Sequence, residues 1–516
     1  MERPSRTLGA LTGLVVAAVA LAVAELLAAL NRSWRSPVLD VGDRLIDAAP
    51  PFVKEFAIDT FGTNDKPALL IGIAIFLGLY AAAVGVLALR RRLGFGIVGV
   101  AVFGAIGAWA ALSRRTGASV HVALPSVAGA LAGIGALWLI HWRLTLLPQA
   151  APVTTDGATD RRQFFRSSGA VLGALTGLAA LTGAAGRRLA SRFSAAESRA
   201  DVVLPTPVEP LAPLPPTVQT DVSGMTPFIT PNADFYRIDT ALVAPQVPTD
   251  SYRLKVVGMV DRELDLTYAD LVARPMIERD ITLTCVSNEV GGRYVGTARW
   301  LGTRLDELLR EAGVQPGADQ VVGRSVDGFE CGFPVETAMD GRDAMIAVGM
   351  NGEPLPIEHG FPARLLVPGL YGFVSATKWV TEIELTTFAE FDHYWLRRGW
   401  AQRAPIKLMS RIDMPRGLAK VTAGIVPVAG VAWEQTVGIQ AVEVQIDDGP
   451  WLFAELADAP SNDTWRQWLY RWNATPGRHS ITVRAIDKNG AIQTPERAEP
   501  IPDGAAGHHQ IVVIVD

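Results

Sequence analysis

The chain has 516 residues, of which 49% are hydrophobic, and its mean hydropathy is +0.23. This composition argues against a purely soluble protein, and the length is enough for several domains. The formal net charge of −5 leaves no basic surplus to neutralise phosphates, so nucleic-acid binding is not expected. The two cysteines, Cys285 and Cys331, are too few for a disulfide-built scaffold, although a bridge between them stays open.

Five stretches in the first 190 residues are apolar enough to cross a membrane, because about 20 apolar residues span a hydrocarbon core of about 30 Å. They cover approximately residues 8–30, 67–89, 94–112, 120–142 and 168–186. If the N-terminus is cytoplasmic, one group of arginines lies on the cytoplasmic side of the membrane, where the loops between spans are typically rich in lysine and arginine. This group is Arg3, Arg6, Arg90, Arg91, Arg92, Arg143, Arg161 and Arg162.

An odd number of crossings places the C-terminal half outside the cytoplasm and predicts a multi-pass protein of the cell membrane. Four arginines disagree with this topology: Arg32, Arg35, Arg114 and Arg115. A missed or re-entrant span near residues 41–61 is the alternative. We interpret the helices as an anchor in membrane lipid, or as a docking surface for a membrane electron carrier.

The last apolar stretch follows a pair of arginines and a pair of aromatic residues. Arg161, Arg162, Phe164 and Phe165 precede a run rich in glycine and alanine, which is typical of a twin-arginine signal for export of folded proteins. The same arginines also fit a basic cluster that holds an ordinary helix on the cytoplasmic side. Both interpretations place the following chain outside the cytoplasm.

Composition divides the remainder into a linker and two domains. Eight prolines between Pro205 and Pro231 predict an extended spacer over residues 191–231. Short strands separated by glycine and proline turns, with few helices, then predict a separate domain over residues 232–400. One helix is specified there, with Thr303 as its N-cap and Gly313 as its end.

Cys285 ends the predicted strand Ile281-Thr-Leu-Thr-Cys, and a loop containing Gly291 and Gly292 follows it. A thiol at the end of a strand, opposite a glycine loop, has room for a ligand. Taken alone, this position is more typical of a packed cysteine.

Residues from about 225 to 516 resemble the molybdopterin-dependent oxidoreductases of the sulfite oxidase family. The segments that carry the resemblance are NADFYRIDTALVAP at 232–245, YRLKVVG at 252–258, ITLTC at 281–285, GTARWLGTRLDELLREAGV at 296–314 and MNGEPLPIEHGFPARLLVPGLYGFVSATKWVTEIEL at 350–385. The resemblance implies a molybdenum ion held by a single molybdopterin, with Cys285 as its thiolate ligand. A soft thiolate suits such a metal centre.

The resemblance also implies a set of cofactor contacts, since a buried pterin with a terminal phosphate needs cationic and amide donors. Arg299 fits either an ion pair or the pocket. Ser375 is expected near the phosphate, through its backbone or its hydroxyl. The remaining expected contacts are Arg237, His359, Arg364 and Lys378, with Asn232 and Tyr236 as weaker candidates.

Two departures from the family pattern put the usual sulfite pocket in doubt. Typical members have Gly-Asn-Arg-Arg after the ligand cysteine, whereas this chain has Ser287-Asn288-Glu289-Val290. Val348 stands where the active-site tyrosine is expected. Asn288 is left as a neutral hydrogen-bonding group near the metal, and Arg293 offers positive charge from another position. The predicted catalytic residues are therefore Cys285, Arg237 and Asn288, and Cys331 is assigned to packing.

Residues 401–516 predict a β-sandwich, with strands at 442–446 and 481–486 and turns at Asp448-Gly449-Pro450 and Asn489-Gly490. Trp433, Trp451, Trp465, Trp468 and Trp472 supply apolar area to its core or to an interface. The region is similar to the immunoglobulin-like dimerisation domain of the sulfite oxidase family. The resemblance therefore implies that a homodimer is one oligomeric state open to this chain.

The resulting hypothesis is a multi-domain, membrane-anchored molybdenum enzyme: transmembrane helices, an α+β molybdopterin domain and an immunoglobulin-like sandwich. It would catalyse two-electron oxygen-atom transfer on a small substrate outside the cytoplasm. Electrons would pass to a separate carrier, either a haem protein or a quinone-linked partner. A reductase of sulfoxides on the same cofactor is one alternative. A catalytically silent, membrane-tethered binding module is the other.

Overall fold

A computed structural model describes residues 5–31, 33–50, 53, 56, 60–61, 65–113, 119–146, 157–191 and 194–516. The predicted topology uses Arg3, Arg32, Arg114 and Arg115, which lie outside the described residues. The alternative span near residues 41–61 is described only in part. The chain forms two compact units: a helical unit of Met1–Ser194 with Thr240–Ala244, and a β-rich unit of Ala195–Asp239 with Pro245–Asp516.

The helical unit consists of apolar helices with one short amphipathic helix among them. Its helices are α1 (Arg6–Ala28), α2 (Pro37–Ala48), α3 (Asp65–Arg90), α4 (Leu93–Leu112), α5 (Leu124–Leu146) and α6 (Gly157–Ser191), with a 3-10 turn at Val120–Ala123. Within the described ranges, five helices are long and apolar enough to cross a membrane, which confirms the five predicted stretches. With 12 residues, α2 is shorter than the roughly 20 that a span needs.

Small residues let α1 and α3 approach each other closely. A Cβ placed on Gly13 would lie 1.8 Å from the carbonyl oxygen of Ala81, and one on Gly85 would lie 2.2 Å from that of Gly9. Only glycine fits at such backbone contacts, which are common between apolar helices in lipid.

Two sheets build the first part of the β-rich unit. One has the order β3-β4-β7-β8 with β9 paired to β7, and the other has the order β2-β1-β10-β5-β6. The strands are β1 (Arg253–Gly258), β2 (Leu264–Thr267), β3 (Met276–Thr284), β4 (Val295–Arg304), β5 (Gln320–Ser325), β6 (Glu330–Pro334), β7 (Met345–Met350), β8 (Glu353–Pro354), β9 (Arg364–Leu366) and β10 (Val380–Thr386). The helices are α7 (Ala195–Ala200), α8 (Tyr268–Val272), α9 (Leu305–Ala312), α10 (Val335–Met339) and α11 (Gly372–Ser375).

The C-terminal part is a β-sandwich, which confirms the predicted class. One sheet has the order β11-β13-β17-β16, and the facing sheet has the order β12-β19-β18-β14-β15. Its strands are β11 (Met409–Met414), β12 (Lys420–Val421), β13 (Gly424–Trp433), β14 (Ile439–Ile446), β15 (Trp451–Phe453), β16 (Glu455–Leu456), β17 (Arg466–Ala474), β18 (Gly477–Asp487) and β19 (His509–Val515). Trp468 and Trp472 lie in the core of the sandwich, whereas Trp433 and Trp465 join the core of the preceding α+β part.

The proline-rich stretch differs from the predicted spacer over residues 191–231. Residues from Ala195 onward belong to the β-rich unit, and Val218, Met225 and Phe228 are buried in its core. Glu209 pairs with Ile277 on the free edge of β3. Proline does favour extended backbone here, but the apolar residues between the prolines pack onto the domain instead of leaving a free tether.

Helix α9 corrects a second prediction. Arg304 occupies the N-cap without a side-chain hydrogen bond, because β4 continues through Thr303 and the helix begins one residue later than predicted. The buried Thr303 hydroxyl has no hydrogen-bond partner. The predicted end is confirmed, since Gly313 has the left-handed φ of 73° that glycine adopts without strain.

Candidate active site

Cys285 is the first residue after β3 and is buried, with 6% of its surface exposed. Its backbone N–H donates to the carbonyl of Tyr294, which closes the loop that follows. Burial raises the pKa of the thiol, although hydrogen bonds from Ser287 partly oppose the rise. A metal that takes this sulfur as a ligand therefore has to displace a proton.

The second cysteine is separate. Cys331 lies on β6, fully buried, with its sulfur 2.8 Å from the hydroxyl of Thr377. Both thiols are free, so the bridge that the sequence left open is not formed. Burial raises the pKa of Cys331 to about 12, which keeps this thiol neutral and unreactive.

The structure brings together five residues from two separate segments of the chain, four of which the sequence predicted as cofactor contacts. We call this set the site cluster: Arg237, Asp239, His359, Arg364 and Lys378. Asp239 accepts from both Arg237 Nε at 2.9 Å and Lys378 Nζ at 2.8 Å. Arg364 Nη1 donates to the carbonyl of His359 at 3.2 Å, and Lys378 Nζ donates to the carbonyl of Glu358 at 3.1 Å, which brings both cations beside His359. The cluster therefore holds three cations around one paired carboxylate.

Arg364 is the least compensated of these cations. It is 5% exposed, stacks over the ring of Trp300 at 5.1 Å, and donates to the carbonyls of His359 at 3.2 Å and Ala376 at 3.4 Å. Its Nε has no hydrogen-bond partner, and no carboxylate of the described chain forms an ion pair with it. Burial lowers its pKa to about 10. A buried cation in this state is costly unless an anion completes the site.

Lys378 and His359 are buried in the same cationic environment as Arg364, and burial lowers the pKa of both. Burial lowers the pKa of Lys378 to about 8 despite the opposing charge of Asp239. Burial, followed by the charge of Arg364, lowers the pKa of His359 to about 4, so its ring is neutral at neutral pH. Gly360, with φ of 112°, lies between the two cations, and a Cβ there would be 3.1 Å from the Cβ atoms of both Arg364 and Lys378.

These observations fit the predicted cofactor. A pterin that ends in a phosphate supplies the anion that Arg364 and Lys378 lack, and Cys285 supplies the soft donor that molybdenum prefers. Tyr236 connects the two halves of the site, because its phenol interacts electrostatically with both Cys285 and Arg364. Burial, then the charge of Cys285, raises the pKa of Tyr236, which leaves the phenol a hydrogen-bond donor.

Several predicted residues have other contacts. The Asn288 side-chain oxygen accepts the N–H of Tyr294 at 2.8 Å and so braces its own loop, while its catalytic role stays a prediction. The Ser375 hydroxyl donates to the carbonyls of Leu370 and Tyr371, which leaves its backbone for a phosphate contact. Arg299 is ion-paired to Asp280 at 2.8 Å and is therefore structural.

Asn232 acts through its backbone. Its carbonyl oxygen lies 3.1 Å from His359 Nε2, which orients the ring that also meets Phe235 edge-on. Its side-chain amide donates to Glu353 and accepts from Asn351 instead of facing the cations.

Two residues of the site were missed in the sequence. Asp239 holds two of the cations, and its signal was an aspartate two positions after Arg237 in the same segment. Tyr371 is buried, and its phenol interacts with Cys285; burial raises its pKa to about 12.

Val348, at the position expected for tyrosine, is fully buried in the core, whereas Glu289 and Arg293 are exposed.

Comparison with known proteins supports the same assignment. Residues 241–395 match the family model for the oxidoreductase molybdopterin binding domain. Over 323 residues the chain is 29% identical to mitochondrial sulfite oxidase of Homo sapiens, covering 53% of this chain and 58% of that protein. Over 195 residues it is 33% identical to nitrate reductase [NADH] 1 of Oryza sativa subsp. japonica, covering 33% of this chain and 21% of that protein.

Among solved structures, the sulfane dehydrogenase SoxCD of Paracoccus pantotrophus matches with 25% identity and a TM-score of 0.47. The match covers 59% of this chain and 87% of that chain. The chain spans little more than half the length of the human relative. The family-model match over residues 241–395 includes His359, Arg364 and Lys378 of the site cluster.

Proposed function

Because this chain belongs to the sulfite oxidase family of molybdopterin-dependent oxidoreductases, we propose that it is a membrane-anchored enzyme that transfers an oxygen atom to or from a small substrate. The molybdenum centre, when bound, supplies the two-electron change that accompanies this transfer. Electrons pass singly to a separate carrier, a haem protein or a quinone-linked partner.

The observation that carries the proposal is the uncompensated charge at Arg364, combined with the free thiol of Cys285. Arg364 and Lys378 bind the phosphate end of the pterin, and His359, neutral and oriented by Asn232, hydrogen-bonds a polar edge. Cys285 binds the metal. The phenols of Tyr236 and Tyr371 are buried, which raises their pKa values, so they remain protonated and offer donors to substrate oxygen.

The first test is metal content. Wild-type protein from a molybdenum-competent host is expected to contain about one molybdenum and one pterin per chain, and Cys285→Ser is expected to lose oxidoreductase activity. Cys331→Ser is the matched control, because it removes the other buried thiol from a position outside the site. Protein without molybdenum, together with a Cys285→Ser variant as active as the wild type, would contradict the proposal and favour a silent binding module.

A reductase of sulfoxides on the same cofactor is a second candidate. Its support is the exposed Glu289 on the loop after Cys285, which repels an anion such as sulfite, and the apolar Val348 buried in the core. The assay pairs sulfite with a dye acceptor and, separately, a sulfoxide with a reduced dye. Fast sulfite turnover excludes the reductase; sulfoxide turnover alone selects it.

Export is part of the proposal, and helix α6 contains the arginine pair that directs it. Replacing Arg161 and Arg162 by lysine keeps the positive charge that fixes helix orientation. If the pair is a twin-arginine signal, a reporter fused at the C-terminus loses its extracytoplasmic activity in the double-lysine variant. If it is a basic anchor, reporter activity is unchanged.

A further inference from the structure

The β-sandwich contacts the chain on both sides of Cys285. On the preceding side, the free edge of β3 is occupied at Thr282. The N–H of Thr282 donates to the carbonyl of Asp463 at 2.9 Å, its carbonyl accepts from Gln435 Nε2 at 2.7 Å, and its hydroxyl accepts the N–H of Trp465 at 2.7 Å. The strand that leads into Cys285 is therefore fixed by the sandwich three residues earlier.

On the following side, Arg411 of β11 holds the loop of residues 286–293. Arg411 is 6% exposed, and its Nη1 donates to the carbonyl of Gly292 at 2.8 Å. Asp413 accepts from Arg411 Nε at 2.6 Å and keeps the guanidinium in this orientation. A buried, charge-assisted hydrogen bond of this kind is among the stronger single contacts in a protein.

His509, the first residue of β19, touches the same loop. The N–H of Ile412 donates to His509 Nδ1 at 3.0 Å, so the proton of the neutral ring resides on Nε2. That edge of the ring lies against Gly291: a Cβ on Gly291 would be 2.4 Å from Nε2. Gly291 also has φ of 80°, so this contact requires glycine.

Contacts within the loop are few. Gly292 N–H donates to the carbonyl of Glu289 at 2.8 Å, and Tyr294 N–H donates to the Asn288 side chain. These bonds shape the turn without attaching it to another element. At the ends of the loop, Val286 is buried in the core of the unit and Val290 packs against that core. The glycine turn between Val290 and Tyr294 is held by the polar contact from Arg411 and by the ring of His509.

We propose that Arg411 and His509 are positioning residues that hold the loop of residues 286–293 closed over the Cys285 thiol. The sandwich thereby forms a wall of the site and limits access to the metal-binding sulfur. The functional meaning rests on the proposed role of Cys285 as a ligand, whereas the closure itself is a property of the cofactor-free chain.

The test measures alkylation of both cysteines in the full-length, cofactor-free protein in detergent. N-ethylmaleimide is the probe, and peptide mass spectrometry reports each site separately. Cys331, fully buried on β6, reports unfolding of the domain, while Cys285 reports opening of the loop. Because one strong hydrogen bond changes an opening equilibrium by about tenfold, Arg411→Lys should raise Cys285 alkylation roughly tenfold. His509→Ala removes the ring packed on Gly291, and Gly291→Ala forces a Cβ against that ring, so both should also accelerate Cys285 alkylation.

Two control variants lie in the same sandwich. His508→Ala removes the neighbouring ring, which meets Trp451 and the carbonyl of Gln493, and Arg416→Ala removes an exposed arginine. Both should leave the Cys285 rate unchanged. His509→Gln, which keeps a polar group of similar reach, should recover part of the protection.

Selective labelling of Cys285 in the three variants supports the closure. Equal acceleration at Cys285 and Cys331 means that the domain unfolds, and unchanged Cys285 labelling means that the loop holds itself; either result overturns the proposal. Wild-type protein loaded with molybdenum provides a separate arm. If loading does not protect Cys285, the ligand assignment fails while the closure still stands on the cofactor-free data.

Discussion

Two clusters of charged residues in the β-rich unit differ in how their charges are balanced. The sheet cluster comprises Arg324, Glu330, Glu382, Glu384 and Arg397 on and near neighbouring strands β10, β5 and β6. Arg324 pairs with all three glutamates, and Arg397 pairs with Glu330. The site cluster instead has three cations around Asp239. The sheet cluster is complete by itself, whereas the site cluster needs an anion from outside.

The difference separates structural charge from functional charge. Cross-strand pairs such as Arg324 with Glu382 lie at registered positions of the sheet, partly exposed to solvent, and contribute modestly to its stability. Arg364 is buried without a carboxylate partner, which costs stability in the cofactor-free protein. Substitutions in the two clusters should therefore change stability and cofactor retention in different ways.

The largest effect is expected for Asp239→Asn. The side chain of Asp239 is 3% exposed, and its loss leaves Arg237 and Lys378 without their paired carboxylate. Removing one partner of a buried pair costs about 3 kcal/mol, so the free energy of unfolding of the cofactor-free chain should fall by about that amount. Denaturant unfolding in detergent, followed by tryptophan fluorescence, measures it. A loss below about 1 kcal/mol would mean that solvent already screens the cluster.

Arg364→Met is expected to have opposite effects in the two states. Without cofactor, removing an uncompensated buried cation should raise the free energy of unfolding by about 1 kcal/mol. With cofactor, pterin retention should fall at least about tenfold, because the phosphate loses its buried partner. Arg324→Met is the matched control, expected to destabilise by about 1 kcal/mol with normal pterin content. Equal pterin content in both variants would show that Arg364 does not bind the cofactor.

Lys378 makes the contribution of the site cluster to stability depend on pH. Its pKa is lowered from 10.5 to about 8, so between these values the unfolded chain binds more protons than the folded chain. The stability of the cofactor-free protein should therefore rise with pH across this window by up to about 3 kcal/mol relative to Lys378→Met. Unfolding curves of both proteins at several pH values measure the difference. A constant difference would mean that Lys378 titrates normally.

The local fold could be predicted where one short segment determines it. The strand that leads into Cys285 followed from the alternation of Ile281 and Leu283, although it ends one residue earlier than predicted, at Thr284. The end of α9 followed from the backbone freedom of Gly313. The predicted start of α9 was wrong because a threonine before a helix is a typical N-cap, and no local pattern indicates that β4 extends through Thr303. The spacer prediction gave weight to the prolines and not to Val218, Met225 and Phe228 between them.

The site depends on contacts that local patterns do not contain. Arg364 and Lys378 were selected through the family resemblance, since neither has a distinctive local pattern. Asp239 was not predicted as a site residue, because nothing local indicates that Lys378, 139 residues away, reaches its carboxylate. The contacts of Arg411 and His509 with the glycine loop depend in the same way on how the sandwich packs against β3.

The smallest effect is expected for Glu382→Gln, the counterpart of Asp239→Asn in the sheet cluster. Glu382 is about one third exposed, and Arg324 keeps Glu330 and Glu384 as partners after the change. The free energy of unfolding should therefore change by less than about 0.5 kcal/mol, and pterin content should not change. The same unfolding and pterin assays apply. A loss as large as that of Asp239→Asn would show that the sheet cluster has no surplus of carboxylates, and the contrast between balanced and unbalanced charge would then no longer distinguish the site from the scaffold.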